Sequence, residues 1–382
     1  MKLLLLMAFL ISIWTSTIAK RHKKHKTVKF DGNSTDDVTQ DVAVNETDST
    51  IHMDLKGDLR KLFFVISAES KPDSNTLCSP ISAILPLAKL ALGAEGDSLK
   101  ELLSAIGIGE QFKSLLMHLR YLPGVRLDIA SRLYVSQTAR LNRKFVDLSR
   151  DIFESSAAKI DFNFPTYVAE EINAWGRWET PFESVKIGTF HTMTTQKSTQ
   201  MMSLSGEFNY TSSEALGSQI ISIPYSGGRA SLVLVVPLSR TGLPPLLNAL
   251  RLAPWMLRAV FDEMTHTRVH ITMPKFSVTS ELDLATAYKK LGLKTVFDPN
   301  LSGLIRIIRD EKVHITNAKH KCYIEVNEYG TEAAASSGTL LMKLSPAKPI
   351  DFHADHPFLY FIMVNDQQLF SGTFVDPETK SH

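Results

Sequence analysis

A run of small residues at positions 330–338 most constrains what this chain can fold into. It follows the alternating polar and apolar residues of 323–327, which are typical of a strand, and it ends before the larger side chains that begin at Leu340. Successive side chains of a strand point to opposite faces, so an extended segment here would have one small, uncharged face. That face consists of Thr331, Ala333, Ala335 and Ser337. It could enter a packed sheet, where bulk or charge would be costly. A flexible linker is the alternative that these residues alone leave open.

The N-terminus predicts a secretory signal. Lys2 precedes an apolar run from Leu3 to Trp14, and the small residues around Ala19 suit cleavage. The apolar run is too short for a membrane-spanning helix, and no later stretch of about 18 apolar residues follows. The sequence therefore predicts a secreted, extracellular protein with a signal peptide at residues 1–19 and no membrane partner. Four Asn-X-Ser/Thr sites then become candidates for glycosylation: Asn33, Asn45, Asn209 and Asn300.

Residues 20–50 are predicted to form a disordered extension that is first basic and then polar. Its basic run, 20–26, could bind a polyanion such as heparin, although a solvated tail is the favoured interpretation. The net charge of +2 gives no reason to expect nucleic-acid binding. Of the two cysteines, Cys78 and Cys322, we expect two separate buried thiols rather than a disulfide, so stability must come from the core.

Hydrophobic periodicity predicts one α+β domain over residues 51–382. Helical patterns dominate the first half, for example at 81–92 and 142–153, and strand patterns dominate from Glu207 onward. A further helix is predicted at 283–291, before Gly292. Because strands and helices do not alternate as βαβ units, we expect helices packed on mainly antiparallel sheets.

The motifs of common catalytic and metal sites are absent from the sequence. There is no Gly-X-Ser-X-Gly elbow, no His-Glu-X-X-His, no phosphate-binding glycine loop and no CxxC pair. His266 and His270 are four residues apart, but the alternation around His270 predicts a strand, which disfavours a metal site. His353 and His356 are interpreted as part of a surface loop. The sequence therefore predicts neither an enzyme nor a bound cofactor.

From about residue 55 to 378 the chain resembles the serpins, serine-protease inhibitors that insert a loop into a β-sheet. The segment Ile324 to Ala335 is similar to the family's hinge almost residue for residue, and Phe352 to Leu359 is similar to its C-terminal signature. Residues 75–82 resemble an early buried strand and the helix after it. Two weaker matches, Leu291-Gly292 and Leu301-Ser302-Gly303, follow in the expected order. The resemblance implies a serpin-like α+β fold with an exposed reactive loop.

The implied mechanism uses the loop at 328–346 as bait for a serine protease. After acylation, the cut loop of a serpin inserts into the main sheet and distorts the protease. Counting from the hinge glutamate places the reactive bond at Leu344-Ser345, which suits a chymotrypsin- or elastase-like protease. Cleavage after Lys343 would suit a trypsin-like protease and is the less favoured alternative. The resemblance assigns the hinge to Glu328, Gly330, Thr331, Glu332, Ala333, Ala334 and Ala335.

Further residues match family positions around the opening of the sheet. Ser79, Ser82 and His320 match the shutter. Lys275 and Glu328 match a salt-bridged pair where the loop begins, and Trp178 matches an aromatic residue there. From the residues alone, ordinary packing or a surface charge explains each of them as well. A monomer is expected, although serpin-like loops can insert into neighbouring molecules.

The chain departs from the family pattern between Trp175 and Gly176. Serpins normally have the end of a helix, a connection and a long central strand between motifs like 172–175 and 176–182. Here the two motifs abut, so roughly thirty residues are missing, including one wall of the slot that receives the loop. Two interpretations stay open. The protein is a non-inhibitory serpin, such as a protease substrate or a binding or carrier protein, or the sequence is a shortened variant or imperfect gene model of an inhibitor.

Overall fold

The computed structural model of this protein describes residues 4–9, 62–68, 73–106, 125–127, 131–136, 140–153, 158–160, 174–309, 312–331, 348–364 and 367–378. The predicted mixture of helices and mainly antiparallel sheets is confirmed. Most helical residues of the first half precede Phe153, and strands dominate the second half.

Short helices supply one of the two hydrophobic clusters of the core. They are α1 (Leu62–Ser67), α2 (Pro80–Gly93), α3 (Gly96–Ile106), α4 (Arg143–Phe153), α5 (Leu243–Leu252), α6 (Trp255–Asp262) and α7 (Leu284–Lys290). The longest of them, α2, is buried along nearly its whole length. Its start follows from the sequence, because Ser79 caps it by accepting a hydrogen bond from the Ser82 backbone N–H, and Pro80 fits the first helical position.

The strands before residue 192 are β1 (Leu4–Phe9), β2 (Thr76–Cys78), β3 (Val125–Leu127), β4 (Ser131–Ser136), β5 (Ala158–Ile160), β6 (Ala174–Arg177) and β7 (Ser184–His191). Those that follow are β8 (Gln196–Ser213), β9 (Ser218–Pro224), β10 (Ala230–Pro237), β11 (Thr265–Pro274), β12 (Phe276–Asp283), β13 (His314–Val326), β14 (Gly330–Thr331), β15 (Ile350–His353), β16 (Phe358–Val364) and β17 (Gln367–Phe374).

The largest sheet holds the core together. Its strand order is β15-β11-β8-β9-β10-β16-β17-β2, with β7 paired to β8. The central strands β10 and β16 are buried on both faces, and their alternate residues enter different clusters. Val233 and Phe361 join the helices, whereas Leu234 and Tyr360 join the cluster between the sheets. Two-sided burial explains why these strands are continuous apolar runs rather than alternating ones.

The remaining strands form two smaller sheets. The larger piece has the order β12-β13-β1-β4-β5 and the smaller one β14-β6-β3. Strand β1 lies between β13 and β4, whereas β6 lies between β14 and β3. Both run antiparallel to the strand on one side, β4 and β3 respectively.

Several predicted elements differ from the structure. The strand predicted around His270 is β11, and a second strand, β12, follows it directly because the chain passes from one sheet to another at Lys275. The mainly β part of the chain begins at Ser184 with β7, earlier than the predicted start near Glu207. Helices α5 and α6 were not predicted. His356, interpreted as a surface-loop residue, is buried, and its ring nitrogens lie 2.8 Å from Asp355 Oδ1 and 2.7 Å from the Pro237 carbonyl oxygen.

Candidate functional site at the base of the 328–346 loop

A tight turn connects β13 to the start of the predicted reactive loop. The Asn327 backbone N–H donates to the Gly330 carbonyl at 2.9 Å, and the Gly330 N–H donates back at 3.2 Å. The Asn327 side-chain oxygen also accepts from the Tyr329 N–H at 2.9 Å. After this turn, Gly330 and Thr331 pair antiparallel with Arg177 and Gly176 of β6. Gly330 and Thr331, which belong to the predicted hinge, therefore already form a strand beside β6.

Gly330 is the residue that permits this pairing. Its φ of 145° lies in a region that residues with a Cβ rarely adopt, and a Cβ there would overlap the Gly176 carbonyl oxygen. Neither backbone group can move away without breaking the pairing of β14 with β6. The glycine is therefore required by conformation and by space at once.

Replacing Gly330 with alanine is expected to destabilise the protein by about 2 kcal/mol or more, since strain and a backbone clash add. Gly292→Ala is the matched control, because Gly292 has a φ of 96° but no atom near its absent Cβ. That variant should lose only about 1 kcal/mol. Urea denaturation of both variants measures the difference, and equal losses would show that the contact with β6 contributes nothing.

Trp178 supports the turn at Asn327–Gly330. Its indole N–H donates to the Asn327 carbonyl at 2.8 Å, and its ring stacks on Tyr225 with centroids 4.6 Å apart. Phe182 packs against the indole edge-to-face at 5.9 Å. All three aromatic residues are buried. A buried indole with its N–H satisfied is a rigid support, so the turn at Asn327 has a fixed position.

Backbone hydrogen bonds complete the support. The Trp178 N–H donates to the Tyr329 carbonyl at 3.1 Å, and the Phe182 N–H donates to the Glu328 carbonyl at 2.9 Å. The segment after β6 therefore contacts each residue of the turn. This segment follows directly on the junction at 175–176, where the sequence departs from the family pattern.

An ion pair closes the other side of the turn. Lys275 Nζ lies 2.8 Å from Glu328 Oε2, and both side chains are partly buried. Burial is the largest single influence and would raise the pKa of Glu328, but the hydrogen bond from Lys275, a backbone hydrogen bond and the Lys275 charge together outweigh it, and the pKa is lowered. Glu328 is thus a carboxylate at neutral pH, and the pair joins the loop base to the residue between β11 and β12.

His320 organises a second cluster, below the loop base on β13. The Ser79 backbone N–H donates to His320 Nε2 at 3.1 Å, and Cys322 Sγ lies 2.8 Å from the same nitrogen. Burial lowers the pKa of His320 to about 3, so the imidazole is neutral and Nε2 acts as an acceptor. The Ser82 hydroxyl donates to the Ser79 carbonyl at 3.1 Å. Ser79, Ser82 and His320 therefore meet where β13 crosses the start of α2.

Both cysteines lie near this cluster as free, fully buried thiols. Burial raises the pKa of Cys78 and of Cys322 well above the ordinary value. Neither thiol is therefore a nucleophile at neutral pH, and both act as small core residues.

The other predicted positions are distributed as follows. Asn209 on β8 and Asn300 in a loop are exposed, as a glycan acceptor must be. Outside the described residues lie Asn33, Asn45, the basic run 20–26, Glu332, Ala333, Ala334, Ala335, Lys343, Leu344 and Ser345.

His270 lies on a strand, as predicted, and this strand, β11, also includes His266; His270 Nδ1 is 2.7 Å from the Ser205 hydroxyl. Within the described part of the chain, no cluster of three or more His, Cys, Asp or Glu side chains could hold a metal ion. Within the same residues, no helix combines the length and apolar character needed to cross a membrane.

Sequence reasoning missed Asn327 and the aromatic partners of Trp178. Tyr225 follows β9 after almost fifty intervening residues, and no local pattern links it to the loop. Asn327 had a signal, because an asparagine directly after an alternating run is a frequent turn residue.

Comparison with known proteins matches the family model described as "Serpin (serine protease inhibitor)" to residues 60–177 and 176–377. The two matches meet at residue 176, where the motifs 172–175 and 176–182 abut. Antichymotrypsin-2 of Bombyx mori is 29% identical over 355 residues, covering 81% of this chain and 94% of that relative. Human neuroserpin is 29% identical over 368 residues, covering 80% and 87%. Because 355 aligned positions correspond to only 81% of this 382-residue chain, the insect relative contains residues without a counterpart here.

Two solved structures with the same fold have names that describe different kinds of protein, a serpin and a thyroxine-binding globulin. Serpin48 of Tenebrio molitor superimposes with a TM-score of 0.71 at 22% identity, covering 83% of this chain and 95% of that one. Human thyroxine-binding globulin in complex with thyroxine has a TM-score of 0.75 at 20% identity, with 85% and 97% covered. At these identities the superpositions show the fold alone.

Proposed function

Because the chain belongs to the serpin family, we propose that it is a secreted inhibitor of a serine protease that acts as a suicide substrate through the loop at 328–346. The observation that carries the proposal is the pairing of Gly330 and Thr331 with β6. A cut loop can extend this short strand residue by residue, since its first hydrogen bonds are already made. Relatives named antichymotrypsin and antitrypsin support a protease partner.

The reactive bond is assigned to Leu344-Ser345, with a chymotrypsin- or elastase-like partner. The small face of Thr331, Ala333 and Ala335 would turn inward during insertion, because bulk or charge is costly inside a packed sheet. Trp178 and the Lys275–Glu328 pair hold the base from which the loop moves. The chain itself supplies no catalytic group in this mechanism, requires no cofactor and acts as a monomer. Heparin binding through residues 20–26 would be a further interaction of the protein.

The proposal predicts a detergent-stable covalent complex with a chymotrypsin- or elastase-like protease on a denaturing gel. N-terminal sequencing of the released peptide should read Ser345, whereas Leu344 would assign the bond to Lys343. Leu344→Arg should transfer complex formation to a trypsin-like protease.

Two hinge variants separate insertion from simple cleavage. Ala333→Arg places a charge on the small face, and we expect cleavage without a complex. Ala334→Arg places the same charge on the opposite face and should leave complex formation largely intact. Clean cleavage of the unmodified protein without any complex, and without a rise in thermal stability, would contradict inhibition.

That outcome would favour the second candidate, a binding or carrier protein. A cavity of about 280 Å³ supports it, lined by Phe64, Leu243, Leu247, Arg251 and Val375 among others. The cavity is slightly smaller than typical small-molecule sites. Arg251, the one arginine in its lining, could pair with the acidic group of an otherwise apolar ligand. A neighbour of the same fold carries thyroxine, which makes this class of ligand the first to test.

A further inference from the structure

Six exposed cations form one surface at the end of the molecule where β13 begins. Two segments, 140–144 and 305–312, carry them, and backbone hydrogen bonds join these segments. The Arg309 N–H donates to the Arg140 carbonyl at 2.8 Å, and the Asn142 N–H donates to the Ile307 carbonyl at 2.9 Å. We call the six residues the basal surface: Arg140, Arg143, Lys144, Arg306, Arg309 and Lys312.

The arrangement of the basal surface is unfavourable for stability. Arg140 and Arg309 stand opposite each other in the short antiparallel pairing of the two segments, where like charges repel. Arg143 and Lys144 begin α4, although the positive end of the helix dipole disfavours cations, and the first turn contains no acidic residue. Local conflicts of this kind are expected at functional sites rather than in ordinary surface structure.

Most of these cations have no neutralising partner in the part of the chain that the structure describes. There, Arg306 forms an ion pair with Glu95, and the other five side chains form none. The two segments also contain Asp310 and Glu311, which lie outside the described residues. Six cations and two acidic residues leave the segments with a net positive charge. An acidic partner therefore suits the basal surface.

The register of the loop base indicates where a cut loop would carry the protease. Asn327 pairs antiparallel with Gly330, and a loop that continues this pairing along β13 brings Leu344 opposite Val313. The protease serine oxygen bonds to the Leu344 carbonyl carbon as the bond to Ser345 breaks, and the Ser345 nitrogen takes the proton. The protease would thus arrive at the beginning of β13. This register applies to the secreted form, because β1, which pairs with β13 here, belongs to the predicted signal peptide.

A protease at this position would contact the basal surface. Lys312 directly precedes Val313, and Arg309 precedes it by four residues, so at most about 14 Å of chain separates Arg309 from Val313. An interface of about 800 Å² per partner extends about 16 Å from its centre. The cations therefore lie within the area that a bound protease covers.

We propose that the basal surface receives the acylated protease and favours proteases that are acidic around their catalytic serine. The inference rests on the proposed inhibitory function and adds a determinant of the lifetime of the complex. Hydrolysis of the ester requires the protease to regain its active geometry by moving away from the end of the sheet. Attraction between opposite charges opposes this movement, whereas repulsion promotes it.

The basal surface should not affect the first encounter with the protease. Strand β13 contains 13 residues and separates the loop base from the basal surface by about 40 Å. Charges in salt solution at physiological strength are screened over about 8 Å. The lifetime of the complex should therefore depend on these cations, and the rate of association should not.

The test uses Lys144→Glu combined with Arg309→Glu in the secreted protein. Each substitution replaces an unfavourable charge with a favourable one, so the double variant should melt about 1–3 °C higher than the native protein. A lower melting temperature would show that the native charges stabilise the fold, which would contradict the conflict on which the inference depends.

A chymotrypsin-like protease, before and after succinylation of its lysines, presents two surface charges around one catalytic site. Release of active protease from the preformed complex measures the lifetime. With the succinylated protease, the native complex should last at least about threefold longer than the variant complex. With the unmodified protease the difference should be smaller or reversed, and high salt should reduce it in both cases.

The matched control carries the same change of charge at the opposite end of the molecule. Lys186 on β7 and Arg229 in the turn after β9 are exposed near the loop base. Lys186→Glu combined with Arg229→Glu should change the rate of association with the succinylated protease and leave the lifetime unaltered. Equal lifetimes for the native and basal variant complexes would overturn the inference and leave inhibition intact. A native chain that forms no complex at all would overturn both.

Discussion

Lowering the pH from 7 to 5 is expected to reduce the free energy of unfolding by about 2 kcal/mol through His320 alone. Its pKa is lowered by burial to about 3 in the folded protein, against an ordinary value of 6.5. The unfolded chain therefore binds more protons than the folded chain between these two values. The full stability is present above pH 6.5 and decreases as the pH falls toward 3.

The physical reason is the contact of Nε2 with the Ser79 N–H. A protonated ring would present a donor to a donor, in a site without water access. Glu328 and Asp355 also have lowered pKa values, but their contributions are lost only as the pH falls below about their ordinary values of 4.5 and 3.8. The window between pH 6.5 and 5 thus isolates the histidine from these carboxylates.

The measurement is urea denaturation at several pH values for the native chain and for His320→Gln. The glutamine keeps an acceptor for Ser79 but does not titrate, so we expect a lower stability at pH 7 and a smaller decrease from pH 7 to 5. If both proteins lost the same stability over this interval, His320 would not be the group responsible.

Removing the Trp178 side chain is expected to destabilise the protein by about 3–5 kcal/mol, the range of large aromatic truncations in cores. Trp178→Ala loses the stacking on Tyr225, the contact with Phe182 and the hydrogen bond to the Asn327 carbonyl. Because these contacts support the loop base, the variant should also be cleaved faster by proteases between β13 and β14.

Trp178→Phe is the matched control for the hydrogen bond. It keeps an aromatic ring beside Tyr225 but removes the indole donor to the Asn327 carbonyl, which retains only the Gly330 N–H, and this should cost about 0.5–1.5 kcal/mol. Denaturant unfolding and limited proteolysis of both variants check the prediction. Identical losses for the two substitutions would assign the whole effect to the indole N–H, and no loss in either would show that the support is unnecessary.

Local patterns were sufficient for parts of the fold. Helical periodicity predicted α2 at 81–92, close to its observed bounds, and alternation predicted the end of β13 because one face of that strand is buried and the other is half-exposed. Helix α5 has Leu243, Leu246 and Leu250 buried on one face, but prolines next to Leu243 resemble a loop when no packing partner is known. Patterns fail where a short segment is stabilised by distant contacts.

By itself, the sequence determined the family and the junction at 175–176 and predicted the position of the hinge, since each depends on residues adjacent in the chain. Only the tertiary structure decided that Trp178 stacks on Tyr225, that Lys275 reaches Glu328 and that Leu4–Phe9 pairs with β13. Those contacts join residues tens to hundreds of positions apart. Whether an unpaired strand edge can persist is decided by the whole sheet, because hydrogen bonds between strands belong to two segments at once.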